Sequence, residues 1–164
     1  MGFPLSWSAD VLVPGAPNTV PDPIALAVAI EAALREQRPR SLSRTGTAVQ
    51  FRAGILRWVS NTNVLVPISS GDVEVHSELS NLRVSYTIRF TEILLFALVA
   101  TAVFAFVIYL KGRDAPPLFK LVATTVPLWW IFGGNVTLAV FRFPRMLKRA
   151  ADLTLPSNNR WRGP

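Results

Sequence analysis

Cysteine is absent from the 164 residues, and histidine occurs once, at His76. The absence of cysteine excludes disulfide bonds, thiolate metal sites and a cysteine nucleophile. A catalytic triad or a histidine-rich metal site would have to rely on His76 alone. Lysine is also scarce, with 3 Lys against 14 Arg. That bias, together with abundant alanine and proline, is typical of a GC-rich genome, and we expect a bacterial origin.

Charged residues are missing from two long stretches. Residues 93–110 form an uncharged run of eighteen residues, and a second uncharged run covers residues 121–141. As a helix, the first would be roughly 27 Å long, close to the roughly 30 Å hydrocarbon core of a bilayer. The alternative is a pair of buried core helices, which only about ninety other residues would have to cover. We therefore predict a transmembrane hairpin at residues 91–141, with spans at about 93–110 and 120–141 and a short loop at 111–119.

Small residues recur at every fourth position within both predicted spans. This spacing places them on one face of a helix, where they let two helix backbones approach closely. Asn135 and the adjacent glycines allow a different interpretation, a polar path across the membrane. Because neither span contains an ionisable group, we favour helix packing over transport. The candidate packing residues are Ala97, Thr101, Ala105, Gly133 and Thr137.

The net charge of +7 is confined to the predicted loop and the tail, because the acidic and basic residues of residues 1–92 cancel. Counted near the ends of the spans, six basic residues lie on the side of the termini and three lie in the loop. The positive-inside rule therefore predicts that both termini are cytoplasmic. No charged segment followed by an apolar core begins the chain, so no cleavable signal peptide is expected. We expect an integral protein of a bacterial inner (plasma) membrane.

Residues 142–164 form a basic tail. Phe143, Met146, Leu147, Ala150 and Leu153 recur at helical spacing, which predicts a short amphipathic helix lying at the membrane interface. An ordinary positive-inside tail is the simpler alternative. Because these basic residues flank membrane spans, we expect lipid headgroups and not nucleic acid as their partner. The final residues are predicted to be disordered. The candidate headgroup contacts are Arg142, Arg145, Lys148 and Arg149.

Residues 1–90 read as a small α+β domain on the cytoplasmic side. Period-two alternation predicts a first strand around Trp7, and Asp22 followed by Pro23 predicts the start of an amphipathic helix that continues to Gln37. About four mostly antiparallel strands follow, at residues 47–56, 63–68, 73–76 and 82–90, with a hairpin turn at residues 69–72. Only Thr91 and Glu92 separate the last strand from the first span. The domain is therefore expected to lie against the bilayer in a restricted orientation.

One group of polar residues, Asp72, Glu74, His76 and Glu78, could carry chemistry. On a continuous strand these residues share one face, and together they could hold a divalent metal or supply acid–base catalysis. The alternative is an ordinary solvated strand face opposite Val73 and Val75. Same-face neighbours lie about 6.5 to 7 Å apart along a strand, which is wide for sharing one metal ion. We therefore predict no metal site and no cofactor.

The sequence favours a non-catalytic interaction or assembly module anchored at the cytoplasmic face of the membrane. Its expected partners are the lipid bilayer and either further copies of the chain or a larger membrane complex. A ligand-sensing domain coupled to the hairpin is the alternative. A metal-dependent enzyme using the polar strand residues is a third hypothesis.

Overall fold

The computed structural model describes residues 5–14, 22–54, 63–78, 81–111 and 116–154. Within these ranges the fold is α+β, as predicted. Five strands form one antiparallel sheet in the order β1-β5-β4-β3-β2. The strands are β1 (Ser6–Pro14), β2 (Ser41–Thr45), β3 (Ala48–Arg52), β4 (Ser70–Glu78) and β5 (Asn81–Arg89).

The helical part consists of α1 (Pro23–Glu36), α2 (Thr91–Lys111), α3 (Pro117–Leu128), a π-helical segment (Trp129–Gly133) and α4 (Gly134–Thr154). The last three follow one another without interruption. By length and composition, the stretches Thr91–Leu110 and Pro117–Thr154 could each cross a membrane. A core helix of a soluble protein would be mostly buried, whereas 6% of the apolar window of the first stretch and 0% of the second are buried. Residues 112–115 of the predicted loop and residues 155–164 of the tail lie outside the described ranges.

Helix α1 begins and ends as its sequence predicts. The Asp22 side chain accepts a hydrogen bond of 2.8 Å from the Ile24 amide, which satisfies one of the open donors of the first turn. Arg38, just beyond the helix, has a φ of 52° and turns the chain towards β2. The apolar side of α1 is buried against the inner face of the sheet, through Leu26, Ala27, Ile30 and Leu34.

Two strand predictions differ from the structure. Strand β2 was not predicted, because its sequence SLSRT is polar and mostly exposed and it pairs with one neighbour only. Residues 63–68, predicted to be a strand, form a turn instead. In that turn the side-chain amide Nδ2 of Asn63 donates a 2.8 Å hydrogen bond to the Gln37 backbone carbonyl at the end of α1. Leu65 and Ile68 are buried there, so their hydrophobicity reflects burial in the core and not strand formation.

The predicted hairpin turn at residues 69–72 is also wrong, because Ser70 and Gly71 begin β4. The glycine is required by packing. A Cβ at Gly71 would lie 2.6 Å from Cζ of Phe51 and 3.0 Å from the Thr87 carbonyl oxygen. A glycine inside a strand commonly marks such a close approach. The missing side chain lets the Phe51 ring approach β4 closely.

Helix α4 completes the hydrophobic core of the domain. It packs beside α1, and its Phe143 ring lies 5.8 Å from the Phe51 ring and 5.2 Å from the Tyr86 ring, centroid to centroid. Burial raises the pKa of the Tyr86 phenol, which therefore stays neutral within this cluster. The core thus contains residues that precede the hairpin in the sequence and residues that follow it. The predicted domain, residues 1–90, contains only the first of these two sets. The buried residues of α4 are Ala139, Phe143, Leu147, Ala150 and Ala151.

This packing corrects the prediction of a helix lying at the membrane interface. Most of the apolar side of residues 142–154 faces protein, with Phe143 0% and Leu147 1% exposed, whereas Leu153 at its end is 85% exposed. Pro144 lies inside α4 and does not begin a new helix. Apolar spacing of 3.6 residues shows that one side of a helix is covered, but it does not distinguish a lipid surface from a sheet.

The junction between β5 and α2 is short and hydrogen-bonded. One residue, Phe90, separates them, and it is 1% exposed. Its amide donates a 2.8 Å hydrogen bond to the Leu5 carbonyl. The Ser69 hydroxyl accepts a 2.8 Å hydrogen bond from the Glu92 amide in the first turn of α2. Helix α2 is therefore held to the sheet at its first turn, with no flexible tether between them.

Candidate functional site

The outer face of the sheet is the surface that the fold leaves open. Strand residues alternate between the two faces, and the buried side chains of β4 and β5 all point towards α1 and α4. In the described part of the chain, both of these helices lie on that inner side. The outer face is rich in hydroxyl groups, at Ser6, Ser8, Ser41, Ser43, Ser70, Ser85 and Thr87. Small hydroxyl side chains leave the face shallow and able to donate or accept hydrogen bonds.

The strand register sorts the charges of the outer face into rows. At the end where β5 joins α2, Arg52 pairs with Ser70, and Ser70 pairs with Arg89. We call this line, continued by Ser41 and Ser6 at the two edges, the arginine row. Ser41, Arg52, Ser70 and Arg89 of this row line a groove of about 230 Å³ together with Ser43, Gln50 and Asp72.

The next rows carry acidic groups. Asp72 lies one row beyond the arginine row, while Glu74 and Asp10 lie on either side of Ser85 two rows beyond it. We call these three carboxylates the acidic patch. They line a second groove of about 380 Å³ with Ser8, Gln50 and Thr87. Over these first three rows, charge on the outer face therefore changes from basic to acidic, starting from the end that joins α2. Arg83 adds a basic group in the row after them.

The four polar residues singled out in β4 do not gather around one point. They lie on one face, as the alternation predicts, but Asp72 pairs with Arg89 at 2.9 Å and Glu78 pairs with Arg83 at 2.9 Å. His76 Nε2 lies 3.6 Å from Glu74 Oε2. Among the described residues, no group of three or more His, Asp or Glu side chains could hold a metal ion. In this arrangement the Asp72 and Glu78 carboxylates link β4 to β5 through diagonal ion pairs.

The basic residues of α4 lie along an exposed side of that helix. Arg142, Arg145, Lys148 and Arg149 are all exposed. Arg149 lies seven positions after Arg142, which is about 10 Å along a helix axis. Because α4 begins inside the span predicted at about 120–141 and continues into the core, Arg142 is the nearest of the four to the end of that span. Contact with lipid headgroups remains a prediction for these four residues.

The small residues of the two hairpin helices occupy different surroundings. Ala97 is fully buried, and within the described residues Thr101 Oγ1 is buried without a hydrogen-bond partner. Ala105 lines a groove between α2 and α3. A Cβ at Gly133 would meet only Trp129 of the same helical run, at 3.7 Å. The hydroxyl of Thr137 donates to the Gly133 carbonyl at 2.8 Å and remains exposed.

Sequence reasoning did not find the arginine row. Arg52 and Arg89 are 37 positions apart in the sequence, and only the pairing of β3, β4 and β5 brings them to one line. The alternation of β5 does indicate that Arg89 faces outwards, but it says nothing about the neighbour of that residue.

In comparisons with known proteins, no family model, curated protein or solved structure matches the chain.

Proposed function

We propose that this chain is a membrane-anchored, non-catalytic interaction module, and that the outer sheet face is its contact surface. The observation that carries the proposal is an open polar face on a domain connected to the apolar hairpin at two places. One connection is the hydrogen-bonded junction of β5 with α2. The other is the burial of α4 in the core.

Because the domain is connected to the hairpin at two places, its orientation is more restricted than that of a domain held by one flexible tether. Anchoring through α2 alone would leave the domain free to rotate about a single point. With α4 also buried against the sheet, the outer face has one orientation relative to both helices, and therefore relative to the bilayer they cross. A fixed orientation lowers the entropic cost of binding a partner in the same membrane. In this proposal the domain lies on the cytoplasmic side of a bacterial plasma membrane, and the partner is a second copy or another membrane protein.

A ligand-sensing domain is the second candidate. The same two connections would transmit a change at the sheet to the hairpin. The space between the inner face and the helices is filled by fully buried side chains, including Ile30, Phe143 and Ile88. A ligand would therefore use the groove of about 380 Å³ on the outer face. In both candidates this face is the functional surface.

Site-specific photo-crosslinking in the native host tests the contact surface. A photoreactive residue at Gln50 or Glu74, on the outer face, should give one discrete crosslinked product. The matched positions are Arg35 and Glu36, which are exposed on α1 on the other side of the domain, and they should give none. A product of twice the chain mass identifies a second copy, and any other discrete mass identifies another protein. Absence of products from the outer face, or equal products from α1, would contradict the proposal.

A further inference from the structure

We propose that the arginine row binds the phosphate group of an anionic membrane lipid. The inference rests on the proposed membrane anchoring and adds a ligand to the same face. Arg52 and Arg89 lie on either side of Ser70, two strand spacings apart, which is about 10 Å. A phosphate above Ser70 would be within reach of both guanidinium groups and of the Ser70 hydroxyl. Guanidinium groups bind phosphate through charge-assisted hydrogen bonds and are favoured for this purpose.

The position of the row along the chain places it beside the bilayer. Arg89 precedes Ile93, the first apolar residue of the predicted span, by four positions. Two strand residues and two helical residues cover about 10 Å. The polar headgroup layer is several ångströms thick on each side of the hydrocarbon core, with bilayers about 40 to 45 Å thick in total. Arg89 therefore lies no more than about 10 Å from the start of the predicted span, at the level of the lipid phosphates, and Arg52 lies in the same row of the sheet.

The charge order of the outer face supports an anionic lipid over a neutral one. The end of the face beside α2 carries Arg52 and Arg89, and the acidic patch begins one row farther away. An anionic surface attracts the first and repels the second, so both contributions favour the same orientation of the sheet. Arg40 adds a further positive charge at this end, because its amide donates a 2.8 Å hydrogen bond to the Arg52 carbonyl. The groove of about 230 Å³ beside the row can accommodate a phosphate group.

Asp72 opposes phosphate binding, so its substitution should change lipid affinity in the opposite direction to substitution of the arginines. Its carboxylate lies 2.9 Å from the Arg89 guanidinium, in the same groove. A lipid phosphate would have to share Arg89 with this carboxylate. Removing the carboxylate charge should therefore strengthen lipid binding, whereas removing either arginine should weaken it. A purely structural role for the ion pair would not produce opposite effects on lipid affinity.

Native mass spectrometry of the delipidated full-length protein in mild detergent tests the site, with phosphatidylglycerol or phosphatidylcholine added at equal concentration. The wild-type chain should bind one phosphatidylglycerol in preference to phosphatidylcholine. Arg52→Gln and Arg89→Gln should each weaken that binding about fivefold, the contribution of one basic residue near an anionic surface. Asp72→Asn should strengthen it.

Arg83→Gln is the matched control. Arg83 lies on the same strand and face and also forms a diagonal ion pair at 2.9 Å, with Glu78, but it is about 20 Å farther from the α2 end. It should bind the lipid as the wild type does. An equal loss in this variant, equal binding of phosphatidylcholine, or weaker binding in Asp72→Asn would overturn the proposal. Displacement by millimolar inorganic phosphate would assign the site to a free phosphate compound. Release of the chain from membranes by alkaline carbonate would instead contradict the anchoring itself.

Discussion

At the scale of single residues, Phe143 joins the two halves of the chain. It is fully buried and contacts Phe51 and Tyr86 of the sheet, although it follows the apolar hairpin in the sequence. Phe143→Ala should destabilise the domain by about 3 to 5 kcal/mol, because it removes apolar contacts and leaves a cavity. Urea unfolding in detergent, followed by near-ultraviolet circular dichroism, measures this change.

Phe141 provides the control for this prediction. It lies two positions earlier on α4 and is 59% exposed, so Phe141→Ala should change the unfolding free energy of the domain by less than about 0.5 kcal/mol. Equal effects of the two substitutions would show that α4 does not use its Phe143 side to complete the core.

At the scale of elements, α4 is the part of the domain that residues 1–90 lack. Without it, the inner face around Val11, Phe51 and Tyr86 would lose the cover it has in the whole chain. We expect the isolated segment 1–90 to bind a hydrophobic dye and to show no cooperative unfolding transition. A peptide of residues 134–154, added in trans or fused through a flexible linker, should restore cooperativity.

The Phe143→Ala form of the same peptide is the control for that experiment, and it should restore cooperativity poorly. Cooperative unfolding of residues 1–90 alone would mean that α4 is an accessory to a domain that is already complete. The prediction also implies an order of events during synthesis. The core closes only after the hairpin has brought α4 back to the side of the sheet.

At the scale of the whole molecule, the structure brings the segments before and after the hairpin together in one core. Both β5 and α4 belong to one core, so the sheet and residues 142–154 must lie on the same side of any membrane that is crossed by both predicted spans, at about 93–110 and 120–141. Because the chain has no cysteine, single cysteines can report the side. In intact cells an impermeant maleimide should label Asp114→Cys, and should label Glu74→Cys or Arg149→Cys only after permeabilisation.

The opposite labelling pattern would reverse the predicted orientation, while different results for Glu74→Cys and Arg149→Cys would contradict the hairpin. Asp114 belongs to the loop predicted at residues 111–119 and the other two residues belong to the domain body, so the three sites separate these outcomes. The positive-inside rule predicts which side is cytoplasmic. The fold predicts only that the two domain sites agree.

Patterns among neighbouring residues were sufficient to locate several helices and strands from the sequence. The Asp22 and Pro23 pair located the start of α1, alternation located β5, and uncharged length located two helices able to cross a membrane. Each signal is complete within one element, because a period of 2 or 3.6 residues and a helix cap depend on neighbouring residues only. For the same reason the sequence by itself determined the α+β class.

Tertiary structure decided every feature that depends on residues distant in the chain. Pairing with β3 makes a strand of the polar segment SLSRT, and the Phe51 ring explains a glycine inside β4. Packing against the sheet, and not an interface with lipid, covers the apolar side of α4. The register of three strands brings Arg52 and Arg89 into one row. A periodic pattern shows that a face is covered or exposed, but the identity of its neighbour depends on packing between elements, which no local pattern contains.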